Sequence, residues 1–210
     1  KTLIAESKID KSRIDFVLLC TQSGDYTLPS SACLVQNQLG LGTHCGAFDF
    51  NLGCSGYEYG LAVAKGFIAG GIAKNVLLLT AETYTKYIHP EDKGNQTIFG
   101  DAATATLVST DGFAEIGEFE LGTDGSGADT LLVKSGASRN PEKLNTVGED
   151  EAGNPIWSDN LYMNGGAIFN FTSDAVPVMV ENLLKKEQLS EEDIDLWVFH
   201  QANKYMINYL

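Results

Sequence analysis

The stretch Ala47-Phe48-Asp49-Phe50-Asn51-Leu52-Gly53-Cys54-Ser55-Gly56-Tyr57 joins an apolar, strand-like run to a helix built on small residues, with a cysteine at the join. A helix start offers backbone N–H groups that lack intrahelical acceptors and about half a positive charge, and both favour an anion. An ordinary thiol has a pKa near ~8.5, so only a few per cent is thiolate at neutral pH. Lowering it by roughly 1.5 units takes about 2 kcal/mol of preferential interaction with the anion, within reach of a helix terminus and a neighbour. Gly53, Ser55 and Gly56 leave room for a substrate beside the sulfur. Two readings stay open on these residues alone: an activated nucleophile, and a buried structural thiol, the commoner fate of cysteine.

The same strand-then-helix alternation extends outward. Residues 14–21 (Ile-Asp-Phe-Val-Leu-Leu-Cys-Thr) and 75–81 (Asn-Val-Leu-Leu-Leu-Thr-Ala) are short apolar runs of the kind that form buried strands. The pattern predicts helices over 29–39, with Pro29 in the first turn and Gly40 as the stop, and over 55–69, closed by Gly70-Gly71. Residues 102–109 and 115–121 read as an antiparallel pair across Asp111-Gly112. Strands alternating with helices imply an α/β architecture with a largely parallel sheet. From 122 to 160 the chain is rich in Gly, Asp, Asn and Pro and reads as long connections, parts of which pack down through Trp157 and Leu131-Leu132-Val133. A helix over 164–187 is apolar nearly all round, which predicts burial on more than one side.

Residues 9–20 and 189–200 echo one another at a constant offset of 180. In each, Ile-Asp (Ile14-Asp15, Ile194-Asp195) follows a polar stretch and leads into an apolar run, the second ending Trp197-Val198-Phe199-His200. As a duplication, this puts His200 at the end of a strand. The carboxyl ends of strands are where sites assemble in parallel α/β sheets.

Composition narrows the function classes. The 210 residues suffice for one substantial core, and a hydrophobic content of 43% is that of an ordinary globular protein. A net charge of −14 excludes a nucleic-acid or anionic-membrane partner. Docking an acidic carrier protein would need a local basic patch. The doublet Lys185-Lys186 reads as a solvated helix end. No apolar run reaches the ~18 residues of a membrane span, and the N-terminus lacks a signal-peptide core, so a cytoplasmic setting with reduced thiols is expected and the sequons at Asn95 and Asn170 are dismissed. Cys20, Cys33, Cys45 and Cys54 share no metal-ligand spacing with each other or with the histidines, and His44 and His89 read as surface residues. Residues 94–105 lack the Gly-Lys-Ser/Thr ending of a nucleotide-binding loop.

Four pieces in order carry a resemblance: Pro29-Ser30-Ser31-Ala32-Cys33, Ala47-Phe48-Asp49 through Cys54-Ser55-Gly56, Phe99-Gly100-Asp101, and His200-Gln201-Ala202-Asn203. Together the chain closely resembles the β-ketoacyl-acyl carrier protein synthase III group of condensing enzymes in the thiolase superfamily. The resemblance implies the thiolase-like fold: duplicated halves with mixed five-stranded sheets and helices in a layered α-β-α-β-α arrangement. Residues 1–160 would be an N-terminal half, incomplete at its start, and 161–210 the beginning of a C-terminal half. It implies Cys54 as the acyl-accepting nucleophile, with its own backbone N–H in an oxyanion hole, and His200 as the group that stabilises the enolate formed when a malonyl thioester loses carbon dioxide. Lys93 stands where the family often has an arginine near the adenine of coenzyme A. Asn203 stands where the motif meets the pantetheine arm, and Gly165 is placed with them as a coenzyme A contact. Leu28 occupies a position that in the family approaches the partner subunit, implying a homodimer. Acyl-CoA and a malonyl-acyl carrier protein would be the substrates, with no separate cofactor and no metal.

The sequence departs from the family pattern. The later Gly-Asn motif with the third catalytic residue, the Gly-rich loop with the second oxyanion donor, and the N-terminal strand with a tryptophan-bearing coenzyme A segment have no counterpart in these residues. The expectation is therefore a piece lacking both ends and inactive alone. Tyr205 replaces a family arginine, and Ala102-Ala103-Thr104-Ala105 replaces a glycine-rich run; both bear on the acyl donor and coenzyme A contacts. Two other functions remain open: a thiolase-fold acyltransferase that passes the acyl group to an alcohol, amine or sugar without condensation, and a non-catalytic partner chain.

Overall fold

The computed structural model describes residues 1–150 and 153–210, in two compact units. The first comprises Lys1–Thr83 and Asp101–Gly117, and the second Tyr84–Gly100 and Glu118–Leu210.

The first unit starts with a short helix α1 (Thr2–Ser7), then strand β1 (Phe16–Cys20), α2 (Ser31–Leu39), β2 (Gly46–Phe50), α3 (Gly56–Ala69), β3 (Asn75–Thr83) and β4 (Asp101–Ser109). The sheet order is β2-β1-β3-β4, with β1 parallel to both neighbours and β4 antiparallel to β3. β1 is the central apolar run, and its residues alternate between two cores. Val17 and Leu19 join Ile4, Ile14, Ala32, Leu41, Cys45 and Leu77 on one face. Leu18 joins Ala64, Ala73, Val76, Leu78 and Val108 on the other. Burying each large side chain contributes about 2 kcal/mol, so this strand anchors both layers.

Helix α3 lies close to the sheet because its inward stripe is Gly56, Gly60 and Ala64, all buried. A Cβ at Gly60 would run into the Leu78 side chain, and one at Gly56 into the Cys20 sulfur. Helix α2 is fastened from outside itself. The Asp49 carboxylate on β2 accepts from the Ser30 hydroxyl (2.9 Å) and from the Ser31 and Ala32 backbone N–H groups (both 2.6 Å). At the other end of the sheet, Asp15 accepts from the Lys74 and Asn75 N–H groups at 2.7 and 2.9 Å, fixing the entry to β3.

The expected helices and four of the expected strands are present, with ends shifted by a residue or two; Pro29 precedes α2, and Gly40 caps it at φ 67°. The strand expected over 115–121 is absent. After β4 the chain leaves the ladder, and its carbonyls take lysine donors instead: Lys65 Nζ reaches the Gly117 carbonyl at 2.8 Å, while Ile116 packs into the Leu18 core.

The second unit holds α4 (Lys93–Ile98), two antiparallel two-stranded ribbons, and two further helices. β5 (Leu131–Val133) pairs with β8 (Leu161–Met163), and β6 (Val147–Glu149) with β7 (Pro155–Trp157). α5 (Gly165–Glu187) and α6 (Lys204–Tyr209) follow. The long connections do pack down through Leu131-Leu132-Val133 and Trp157, but α5 is not buried on several sides. It has no buried residue, and Phe171, Val178 and Met179 are exposed. The strand expected to end at His200 is absent too. Leu196 and Val198 are 77% and 81% exposed, and no neighbouring strand among the described residues supplies a ladder for residues 194–200. His89 is half-buried rather than a surface residue, stacked on Trp157 with ring centroids 4.0 Å apart.

The internal echo has a backbone counterpart. Lys8 is a left-handed C-cap (φ 55°), a 3₁₀ turn follows at Lys11–Arg13, and Ile14 is extended. In the second unit Gln188 is a left-handed C-cap (φ 58°), a 3₁₀ turn follows at Glu191–Asp193, and Ile194 is extended. Both isoleucines send their N–H to the first carbonyl of the turn.

Replacing Asp49 with Ala removes three acceptor contacts, two of them to helix-start N–H groups. It is expected to lower unfolding stability by about 2 kcal/mol in urea titration. An unchanged midpoint would contradict the assigned capping role.

Candidate active site

Cys54 is the second residue before α3, in a turn closed by the Gly56 N–H donating to the Gly53 carbonyl at 2.9 Å. The thiol is exposed, at the carboxyl end of the parallel strands β1, β2 and β3. Ser55, the N-cap of α3, makes no side-chain capping bond, so its hydroxyl does not occupy the first-turn donors of this 14-residue helix. A helix start of this kind offers N–H donors and a partial positive field to an anion beside it.

The turn is held from below by the end of β1. The Cys20 thiol donates to the Leu52 carbonyl at 3.1 Å and fills the notch left by the missing side chain of Gly56. Gln22, in the bend that follows β1, donates through Nε2 to Asn51 Oδ1 at 3.1 Å, and its Oε1 lies against Gly53. Gln22 is held in turn. Its N–H donates to Glu82 Oε1 at 2.7 Å, and the Ser23 hydroxyl donates to Glu82 Oε2 at 2.7 Å.

The four cysteines are all thiols and differ in setting. Burial raises the Cys20 pKa; the Leu52 contact works against this, and the charges of Glu82 and Glu58 add to it. Burial also raises the Cys45 pKa, helped by Asp15. Both therefore hold their protons more tightly than an ordinary thiol and fit the structural reading. Cys54, exposed at a helix start, fits the nucleophile reading.

The other expected site residues belong to the second unit. Lys93 is exposed at the first position of α4, whose Asp92 N-cap accepts from the Asn95 N–H at 3.0 Å. Gly165 opens α5 after the Asn164 cap, and an added Cβ there would meet nothing. Asn203 is the N-cap of α6, its Oδ1 accepting from the Met206 N–H at 2.9 Å. His200 is exposed, and its carbonyl accepts from the Ala202 N–H at 3.0 Å. The described residues contain no group of three or more His, Cys, Asp or Glu arranged to hold a metal, and no helix long and apolar enough to cross a membrane.

Comparison with known proteins bears on this arrangement. The family model for 3-oxoacyl-[acyl-carrier-protein] synthase III matches residues 48–125, which include the Cys54 turn. The β-ketoacyl-[acyl-carrier-protein] synthase III of Natranaerobius thermophilus is 36% identical over 210 residues, covering 97% of this chain and 60% of its own length. A 2.1 Å crystal structure of a 3-oxoacyl-(acyl-carrier-protein) synthase III superposes with a TM-score of 0.90 at 47% identity, covering 99% of this chain and 63% of that one. The synthase from Burkholderia xenovorans follows at 0.86 and 36%, covering 99% and 58%. The chain belongs to the 3-oxoacyl-[acyl-carrier-protein] synthase III family. Its fold is thiolase-like. It spans 59% to 62% of the length of the curated relatives matched most strongly.

Within this synthase III-family chain the recognisable motifs divide by task. Pro29-Ser30-Ser31-Ala32 and Ala47-Phe48-Asp49 are the two sides of the Asp49 cap on α2, so their work is structural. In Phe99-Gly100-Asp101 the Phe99 ring stacks on Tyr84 with centroids 5.0 Å apart. The residues missed from the sequence are Cys20, Gln22 and Glu82, which hold the Cys54 turn. No spacing ties them to Cys54 in the chain, since 28 to 34 positions separate the sulfur from Glu82 and Cys20.

Raised thiol pKa values mean less thiolate at any given pH below them. Near neutral pH, iodoacetamide is therefore expected to modify Cys54 well before Cys20 or Cys45, and the two buried thiols should gain reactivity only as pH climbs beyond the ordinary thiol range. Peptide mapping over a time course reads this order. Cys20 reacting first would refute the assignment.

Proposed function

We propose that the complete protein is a condensing enzyme of the β-ketoacyl synthase III type, acting in fatty-acid initiation or a related pathway. The Cys54 thiolate attacks the carbonyl carbon of an acyl-CoA thioester. The tetrahedral oxyanion collapses, and the coenzyme A thiolate leaves and takes up a proton. A malonyl thioester on an acyl carrier protein then loses carbon dioxide, and the resulting enolate carbon attacks the acyl-Cys54 carbonyl. A carbon–carbon bond forms, the Cys54–acyl bond breaks, and a 3-ketoacyl thioester departs. The observation that carries this reading is the exposed thiol of Cys54 immediately ahead of α3 in a family-matched turn.

The Cys54 N–H would serve one oxyanion, where a well-placed donor is worth roughly 3–4 kcal/mol. His200 would donate to the enolate oxygen of the malonyl thioester. Lys93 would meet the adenine end of coenzyme A, Gly165 would give it open backbone, and the amide NH₂ of Asn203 would meet the pantetheine arm. Coenzyme A enters as substrate, with no further cofactor. Assembly as a homodimer is supported by the loop after β1, where Tyr26 and Leu28 are 66% and 79% exposed. We place the enzyme in the cytoplasm, and assign residues 1–160 and 161–210 to two thiolase-like halves.

In the complete protein, Cys54→Ala is expected to abolish covalent acylation by acyl-CoA in intact-mass analysis. His200→Ala should still acylate but lose decarboxylation of the malonyl thioester by about 10²-fold or more. Undiminished labelling of Cys54→Ala would overturn the nucleophile assignment, and acylation without any malonyl decarboxylation in the unaltered enzyme would favour simple acyl transfer.

A further inference from the structure

The carboxylate that holds the loop under the nucleophile turn has a geometry that a merely structural strand-end residue does not require. Glu82 is the penultimate residue of β3, beside Ala102 of β4, and its side chain turns toward the end of β1. Both oxygens accept: Oε1 from the Gln22 N–H and Oε2 from the Ser23 hydroxyl, each at 2.7 Å. Ser23 Oγ also accepts from the Thr83 N–H at 2.8 Å, so its own proton is directed to Glu82. An ionised carboxylate satisfies this arrangement. A group with one donor end cannot, because both partners are donors.

Gln22 passes the constraint on. With its backbone fixed by Glu82, its Nε2 donates to Asn51 Oδ1 at 3.1 Å, and its Oε1 lies against Gly53, the residue before Cys54. Cys20 clamps Leu52 and the open side of Gly56 in the same turn. The titratable groups around this clamp are Cys20 itself, Glu82 from β3 and Glu58 from the first turn of α3.

We propose that Glu82, acting through Gln22, is a positioning residue that holds the Cys54 turn against the start of α3. The inference rests on Cys54 being the nucleophile but not on the identity of its acyl substrate. Removing a nearby negative charge favours a thiolate by Coulomb interaction alone, which lowers the thiol midpoint. Releasing the turn from the helix start removes the helix stabilisation of the anion, which raises it. The two effects have opposite signs, so one measurement separates them.

The experiment uses the complete protein with Glu82→Gln, Gln22→Ala and, as a control, Ser109→Ala, which breaks a hydrogen bond to Asn75 at the far end of the β3–β4 pair. Iodoacetamide alkylation of Cys54 is followed across pH by peptide mapping, which separates it from the other exposed thiol, Cys33. With the positioning role, Glu82→Gln and Gln22→Ala raise the midpoint by about one pH unit, slowing alkylation about tenfold below it. Ser109→Ala leaves the midpoint unchanged. Acyl-CoA turnover should show lower kcat with KM changed less than about twofold. A midpoint that falls or stays fixed in either test variant overturns the proposal, including the case where both variants only lower Tm as the control does. Because alkylation needs no acyl substrate, a protein that fails to condense acyl groups yet shows the upward shift would sink the proposed function and leave the positioning role standing.

Discussion

The close seat of α3 on the sheet depends on a hydrogen atom where any other residue has a carbon. At Gly56 the space a methyl group would take belongs to the Cys20 sulfur, and at Gly60 it belongs to Leu78. Overpacking of this kind typically costs about 1–3 kcal/mol, and here it would displace the Cys20 or Leu78 side chain or shift the helix start. The same contact ties the Cys54 turn to the most buried strand of its unit. β1 delivers Val17, Leu18 and Leu19 to two cores and then, one residue later, delivers Cys20 to the underside of the turn. Rigidity of the core and placement of the Cys54 turn are thus consecutive tasks of one strand.

The sulfur's chemistry separates along the same line. Cys20 packs against Gly56 and Cys54 stands two residues before it, yet burial raises the pKa of one thiol while the other is exposed at the helix start. The identity of the residue decides little; the surroundings decide what it can do. The carboxylate of Asp49, equally prominent in the sequence motif, is spent on three donors at the start of α2. A motif shared across a family therefore includes residues that carry chemistry and residues that hold the scaffold, and only contacts tell them apart.

Much of the first unit was legible from the chain. β1 and β3 read as buried because their runs are apolar without interruption, and α3 because small residues recur along one face and two glycines follow it. Cys54 was legible because a strand-to-helix join is a local feature. What failed was non-local. Residues 115–121 have strand-like composition but satisfy a carbonyl through Lys65, a partner 52 positions away. α5 has the composition of an interior helix and the run at 196–199 that of a strand, yet each needs surface or ladder partners that the described residues do not provide. Glu82 was invisible for a related reason, since a single acidic residue at a strand end carries no pattern until the loop it grips is seen.

The paired turns at Lys11–Arg13 and Glu191–Asp193 carry a separate lesson about what drifts and what persists. The first reads Lys-Ser-Arg and the second Glu-Glu-Asp, a reversal of charge across the same order of left-handed cap, 3₁₀ turn and extended isoleucine. The shape is carried by a left-handed residue, a single tight loop and an apolar isoleucine, none of which has a stake in the sign of the solvent-facing groups. The turn is thus specified by torsion angles and one apolar anchor, and the skin over it can carry either polarity.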